Sequence, residues 1–577
     1  EMYIGDWSSD VCSSDLERSM KGLKKTLAIA LAAALFTTMA AGCAKTPASS
    51  GGDVTSTGSA AGSETPSTEK HTFKAMVRES DNQYCHFADR DKYLVWQELN
   101  KIFQSKGLEI EFDIVQADQY ETVLSTSLAS TADLAEYISL TSADDATMVS
   151  CIQNGTFLPV NDLIENGDGT AKAFLEKYPQ AYKKASYTDG KMYWMPAIQE
   201  TYYNGKLAST CTNVLIRYDW VQKLGIEMPK TLDDFTNYLK ACQEKDLNGN
   251  GQKDEYYVAA WKDFSSGIPQ WFGLPNDRFG LSTSDGKVVS TWEQPGVKAY
   301  FKYIQSLLKD GLTSVDYIAC DGAVTDAANA NNQAASLSSY CMQGWLEPEI
   351  NVQEGAEPAN YVSLMPIQGT EGVKPISNIE PPQLTDWRHA AFTKNLKDKT
   401  AASIFLDVIY SDKFEELNAW GIEGVTYEVR DGIKILIGDA TGADWEAASL
   451  SGECAGDNIW GQVFPVIRFS DMENEIATIS KEKGDAQKEV IDYPDTMVDN
   501  MKAYMAVATE AENDTLVKYE TAYKALSREI AVKIYKGEID IDKDWDTLVI
   551  KPLKDGGMDE LLKVYQARAD RYFNYGK

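Results

Sequence analysis

The chain has 577 residues, is 43% hydrophobic and 11% aromatic, and carries a formal charge of −32. It exceeds the ~250 to 300 residues at which a single hydrophobic core stops growing, so at least two lobes are expected. An acidic excess of this size excludes partners held through phosphate contacts, nucleic acid and anionic lipid surfaces among them, because such contacts need clustered Lys and Arg.

Residues 1–19 place acidic side chains ahead of Met20, resemble a translated adapter fragment, and are set aside as a non-native artefact. Met20 opens a basic stretch (Lys21, Lys24, Lys25), Leu27 to Ala41 is apolar, and Ala40, Ala41 and Gly42 supply small residues before Cys43. Residues 20–42 therefore read as a lipoprotein signal peptide, with Cys43 the lipidated residue. The apolar run is shorter than the ~20 residues of a membrane-crossing helix, so the membrane is expected to be reached through the lipid alone. Residues 44–70, mostly Ala, Ser, Thr, Gly and Pro, make a flexible linker.

His71 to Val77 alternates as a strand, Asp89 to Lys106 carries helical apolar spacing, and Leu108 to Val115 alternates again. A β-α-β opening predicts an α/β lobe with a mainly parallel sheet. Ala135 to Leu140 predicts another strand, and Leu158 to Ile164 a short amphipathic segment. Met195-Pro196-Ala197-Ile198-Gln199 and Met365-Pro366-Ile367-Gln368 read as two passages between lobes, with a third near Gly421 to Gly424. Val214 to Tyr218 predicts a buried strand leading into Asp219 to Leu224, and Thr231, with Asp234 three residues on, caps the next helix. Leu516 to Ile534 and Gly557 to Phe573 predict long amphipathic C-terminal helices whose Tyr and Leu stripes are packing surface. Beyond Cys12 and Cys43 seven cysteines remain, an odd number without a C-x-x-C pair, which argues against a disulfide framework.

One motif carries specific chemistry. From Asp246 to Glu255 the chain places oxygen side chains at loop positions 1, 3, 5, 9 and 10 (Asp246, Asn248, Asn250, Asp254, Glu255), with Gly251 at position 6 and the carbonyl of Gln252 at position 7. Ca²⁺ takes roughly six to eight oxygens, and such alternation turns successive side chains toward one centre while the glycine makes the bend. Tyr257 occupies position 12, where an EF-hand has its bidentate Glu, so Glu255 is expected to close the set. The ion is expected to be structural, since nothing nearby resembles an open catalytic metal site. Asp540, Asp542, Asp544 and Asp546 also alternate, but Trp545 stands at their sixth position, and the run is expected to cap a helix without metal.

The blocks Val214 to Phe235, Asp246 to Glu255, Gly421 to Val429 and Lys533 to Phe573 together resemble the family 1 extracellular solute-binding lipoproteins of carbohydrate ABC transporters. The resemblance implies a type II periplasmic-binding-protein-like fold of two α/β lobes joined by a hinge of crossing segments, followed by C-terminal helices. The expected partition is 71–197 with 369–425 for lobe 1, and 198–368 with 426–577 for lobe 2. It implies capture of a sugar or oligosaccharide without catalysis, delivery to a permease, and a calcium loop of Asp246, Asn248, Asn250, Gln252, Asp254 and Glu255. A monomer lipid-anchored on the extracellular face of the bacterial cytoplasmic membrane follows. Where the family often has Gly-Asp-Leu-Pro-Asp, this chain has Ala132-Asp133-Leu134-Ala135-Glu136, which weakens any ligand role for Glu136.

The residues themselves support a sugar. A pyranose or furanose needs flat aromatic platforms with carboxylates or amides at the rim. Trp194, Trp271, Trp345 and Trp387 lie in loops that could supply platforms, and Asp81 and Asn82 follow the first strand, where open α/β sheets place ligands. The competing readings are a secreted carbohydrate-active enzyme, which would need two placed carboxylates, and the ligand-binding partner of a sensor.

Overall fold

Alternation builds the first sheet. In β1 (His71–Arg78) Phe73, Ala75 and Val77 are buried while Thr72 and Lys74 face out, and Met76 is buried on the second face beneath neighbouring helices. β1 pairs in parallel with β2 (Leu108–Val115), from His71 opposite Leu108 to Arg78 opposite Val115. On its other side it pairs in parallel with β3 (Tyr137–Ser139), and Ala390–Phe392 closes that edge antiparallel. This is the mainly parallel sheet expected from the β-α-β opening. The computed structural model describes residues 69–575 apart from 81–83, 131–133, 142, 144, 204–205, 209–210, 260–266, 276, 283–284, 319–321, 341–358, 380–388, 442–444, 466, 472–480, 494–495 and 499–500. The signal segment, Cys43 and nearly all of the linker therefore lie outside the described residues, which belong to one unit, Pro66–Lys577.

The helix expected from Asp89 to Lys106 starts later. Phe87–Lys92 is a 3-10 turn, Tyr93 is extended (φ −85°, ψ 130°), and α1 spans Leu94–Ser105. The break is tertiary: the Leu94 amide donates to the carbonyl of Gly452 at 3.1 Å, a partner far along the chain that a continuous helix would have excluded.

Among the described residues a second, mixed sheet has eight strands. Cys211–Arg217 runs antiparallel to Ala334–Tyr340, Tyr361–Ser363 and Ser377–Ile379, and Tyr256–Val258 lies parallel to Ala334–Tyr340. Between the two sheets the Met195 amide donates to Ala390 at 2.7 Å in the first sheet. Three residues later Ile198–Tyr203 begins, parallel to Ile467–Asp471. That partner strand follows shortly after Phe464, whose ring packs on Phe87 and Phe112 of the first core.

The other two expected passages look different. Around Met365 the chain stays with the second sheet, Leu364 donating to Val214 at 2.8 Å and Gly369 to Trp271 at 2.7 Å. Gly421 to Gly424 is a closed turn in which the Thr426 hydroxyl accepts from the Ile422 amide and donates to the Trp420 carbonyl, and it feeds a hairpin, Tyr427–Arg430 with Ile433–Leu436. Trp445 to Phe464, which the boundary at 425 groups with lobe 2, packs on the first sheet. There Tyr137 donates to Val463 at 2.7 Å and Ser139 to Gln462 at 2.6 Å.

At the C-terminal end Glu510–Tyr535 begins with a reciprocal cap between Thr509 and Glu512 and packs along Met558–Asn574. Their Tyr523, Ile530, Leu561, Tyr565 and Tyr572 are buried, as packing stripes should be, and Arg571 grips the Glu512 carboxylate with both terminal nitrogens. Among the described residues no helix is long and apolar enough to cross a membrane.

Candidate functional site

The oxygen-rich loop is positioned by the helix before it and the strand after it. Leu232–Lys245 opens with a capping box, the Asp234 amide donating to the Thr231 hydroxyl (3.1 Å) and the Thr231 amide to the Asp234 carboxylate (3.0 Å). Its buried stripe of Phe235, Tyr238, Leu239 and Cys242 fixes it against the second sheet, where the Tyr238 hydroxyl donates to the Ala335 carbonyl at 2.8 Å. The helix stops at Asp246, whose φ of 48° is left-handed, so the residue that ends the helix also turns its carboxylate into the loop. Gly249 and Gly251 follow with φ of 75° and 80°, and nothing stands within 4 Å of where a Cβ would lie on either. Glycine is required there by backbone conformation and not by crowding.

Inside the loop the polar groups are nested. Asp246 Oδ2 accepts from the Gly251 amide (2.9 Å), Asn248 Oδ1 from Asn250 (3.1 Å) and Asn250 Oδ1 from Gln252 (2.8 Å). The amide nitrogens of Asn248 and Asn250 donate to the Asp254 carboxylate, as does Gln333 from the neighbouring strand at 2.6 Å. Glu255 is fully buried, and its Oε1 accepts from the Asn248 amide at 3.2 Å. Burial, reinforced by the charges of Asp254 and Asp246, raises the Glu255 carboxyl above its ordinary value. Burial also pushes Asp254 up, but the bonds from Gln333, Asn248 and Asn250 outweigh it and hold that carboxyl low.

Two oxygens decide what this arrangement can hold. Asp246 Oδ1 and Glu255 Oε2 are buried and have no hydrogen-bond partner. A buried carboxylate oxygen without a donor is costly, and a cation between the two would relieve both at once. Among the described residues no three His, Cys, Asp or Glu side chains converge as a metal site. A cation here would thus need amide and main-chain oxygens as well, a donor set suited to a hard ion such as Ca²⁺ and not to Zn²⁺.

The expected ligand platforms fare unevenly. Trp194 is nearly buried beside His389, ring centroids 6.0 Å apart and tilted by 43°, on the segment that joins the first sheet to Ile198–Tyr203. Trp271 is not a platform in this conformation: it is fully buried in the hydrophobic core, edge-on to Phe235 at 5.0 Å. A large flat ring was reason to expect either role, and the Ile268–Phe272 turn points this one inward. Asp81, Asn82, Trp345 and Trp387 lie outside the described residues. Glu136 ties the first sheet together, accepting from the Lys74 amide (2.8 Å) and the Lys397 amide (2.9 Å), so its carboxylate is spent on backbone.

The sequence reading missed two buried polar residues. Glu79, only 2% exposed, accepts from the amides of Ser80, Phe87 and Ala88 at 2.7, 2.6 and 2.9 Å and so ties the end of β1 to the start of the Phe87–Lys92 turn. His389 was likewise missed. A lone Glu after a strand carries no pattern in the sequence, and the position of His389 beside Trp194 depends on pairing across almost two hundred residues.

A family model for bacterial extracellular solute-binding proteins matches residues 98–417, more than half the chain. Among curated proteins, the lipoprotein LipO of Bacillus subtilis is 27% identical over 282 residues, covering 45% of this chain and 53% of its own. The fructooligosaccharide ABC transporter substrate-binding protein FusA of Streptococcus pneumoniae is 31% identical over 255 residues, covering 43% of this chain and 46% of its own. The match thus spans about half the length of these curated relatives. In structure, an EF-hand mutant of FusA in complex with fructo-nystose superposes with a TM-score of 0.65 at 20% identity, covering 87% of this chain and 99% of that one.

Proposed function

The chain belongs to the bacterial extracellular solute-binding protein family, and from that membership we propose that it captures a sugar or oligosaccharide between two lobes and delivers it to the permease of an ABC transporter. What carries the reading is the likeness in sequence to a relative described as a fructooligosaccharide-binding component of such a transporter. The fold is compatible with it, since a parallel pair of strands, Ile198–Tyr203 and Ile467–Asp471, follows segments bonded to or packed on the first sheet and offers a short hinge. In this reading the lobes divide as 71–197 with 369–425 and 198–368 with the remainder, except that Trp445 to Phe464 goes with the first lobe.

A ligand can favour closure only by binding the closed arrangement better than the open one. Trp194, beside His389, is the described candidate for a sugar platform, and Asp81, Asn82, Trp345 and Trp387 are further candidates from the sequence. The Asp246 to Glu255 loop holds Ca²⁺ through Asp246, Asn248, Asn250, the Gln252 carbonyl, Asp254 and Glu255. The two partnerless carboxylate oxygens support that assignment. The ion supplies positive charge that lets three neighbouring carboxylates remain ionised, and so pins the Leu232–Lys245 helix to the strand at Tyr256. Cys43 carries the lipid that holds the protein, a monomer, on the outer face of the cytoplasmic membrane.

Thermal melting of the full chain against fructooligosaccharides and other glycans tests the function. A ligand present at a hundred times its Kd should add about 2.7 kcal/mol of stability. Chromatography should recover the sugar unchanged. No shift with any glycan, or a cleaved glycan, would overturn the reading.

A further inference from the structure

Cys85 and Cys454 stand 369 residues apart in the chain, and their sulfurs meet at 3.3 Å in the first core. Both are completely buried, and among the described residues Cys85, Cys151, Cys242 and Cys454 all carry thiols. Nothing about the contact is incidental. The Ser449 hydroxyl donates to the Tyr84 carbonyl at 2.6 Å and takes a bond from the Lys92 ammonium at 3.0 Å. The His86 amide donates to the Tyr93 hydroxyl at 3.2 Å, and Leu94 donates to Gly452. Gly452 itself has a φ of 76°, and a Cβ there would meet the Lys92 carbonyl at 2.6 Å, so the close approach depends on glycine. Residues 449–454 are thereby docked along residues 84–94 by polar bonds on both sides of the sulfur pair.

We infer that Cys85 and Cys454 are a modification site, a dithiol that a small hydroperoxide converts to an intramolecular disulfide, stapling the segment after β1 to residues 449–454. Closure needs the sulfurs to approach by roughly 1.3 Å, to the ~2.05 Å of a disulfide. The Cys454 thiol at its side, together with Tyr93 and Lys92, draws the Cys85 thiol below its ordinary value in spite of burial, while Cys454 is raised by Cys85 and by burial. Cys85, with the Tyr93 hydroxyl and the Lys92 ammonium beside it, is taken as the attacking thiol and Cys454 as the resolving one. The Cys85 thiolate attacks one peroxide oxygen, the O–O bond breaks and hydroxide leaves, giving a sulfenic acid. The Cys454 sulfur then attacks the sulfenic sulfur, its proton joins the departing hydroxyl, and water leaves. The two thiols give up two electrons and two protons, and the peroxide becomes two waters. Disulfides persist in oxidising extracellular surroundings, where this family works, and one closing a loop of this length constrains the unfolded chain strongly.

The test uses the full chain, purified reduced and then exposed to hydrogen peroxide. Non-reducing digestion and mass spectrometry should yield a peptide joining Cys85 to Cys454, with Cys151 and Cys242 recovered as alkylated thiols. The oxidised protein should melt several degrees higher than the reduced one and lose that gain in dithiothreitol. In Cys454→Ser peroxide should leave the melting point where it was. Recovery of both Cys85 and Cys454 as alkylated thiols or as sulfinic acids in the wild-type chain overturns the inference whether or not the variant folds. A joined peptide without any rise in melting temperature overturns the staple.

Discussion

Two acidic runs alternate oxygen side chains with the same two-residue period, Asp246 to Glu255 and Asp540 to Asp546, yet only one closes around a centre. In the first, left-handed backbone at Asp246, Gly249 and Gly251 curls the chain on itself, and Glu255 is carried out of water altogether. In the second, Asp540 and Asp542 stay at the surface and each meets a lysine: Lys543 meets Asp540 and Lys302 meets Asp542, both at 2.7 Å. Asp540 Oδ1 also accepts the amides of Asp542 and Lys543, and Asp544 sits at the cap position of the Trp545–Ile550 turn without a side-chain cap bond there. Spacing alone does not make a cation site. What separates the two runs is whether carboxylate oxygens are withdrawn from solvent and left without donors.

The comparison can be broken most directly by removing the ion. If Ca²⁺ occupies the first loop at a hundredfold excess over its Kd, chelation should cost about 2.7 kcal/mol, read as a fall in melting point that added Ca²⁺ reverses. Asp246→Ala should melt as the chelated wild type does and show no further response to chelator. Equal behaviour of wild type before and after chelation would put the first run in the same class as the second.

Smaller effects sharpen the reasons. Gly251→Ala should lose roughly 1–2 kcal/mol from the left-handed backbone alone, with no clash to add, since the space around the position is open. Measured by denaturant midpoint, that loss should persist in chelator. Thr231→Ala removes one half of the capping box at the far end of the same helix and should cost about 1 kcal/mol while leaving the calcium response intact. Asp542→Ala should leave both the melting point and the chelator response unchanged, because an exposed ion pair contributes little.

Much of the fold was legible along the chain. β1 and β2, the Thr231 cap, the strand at Val214 and the two terminal helices arise from alternation, apolar stripes and caps, all of which act within a few residues. The turn chemistry of the Asp246 to Glu255 loop was legible for the same reason, since its course is set by neighbouring backbone. Prediction failed where the partner was distant. The helix expected to start at Asp89 is interrupted at Tyr93 by Gly452, and Trp271 turns into the core through Phe235.

The sequence by itself determined which segments could be strands, helices and a cation loop, because hydrophobic period, capping and turn chemistry are short-range. Only the tertiary structure decided that Trp445 to Phe464 returns to the first sheet, that Glu79 binds the amides of Phe87 and Ala88, and that two cysteines 369 residues apart share one buried contact. Those outcomes depend on which surfaces meet once whole elements pack, and no local pattern carries that information.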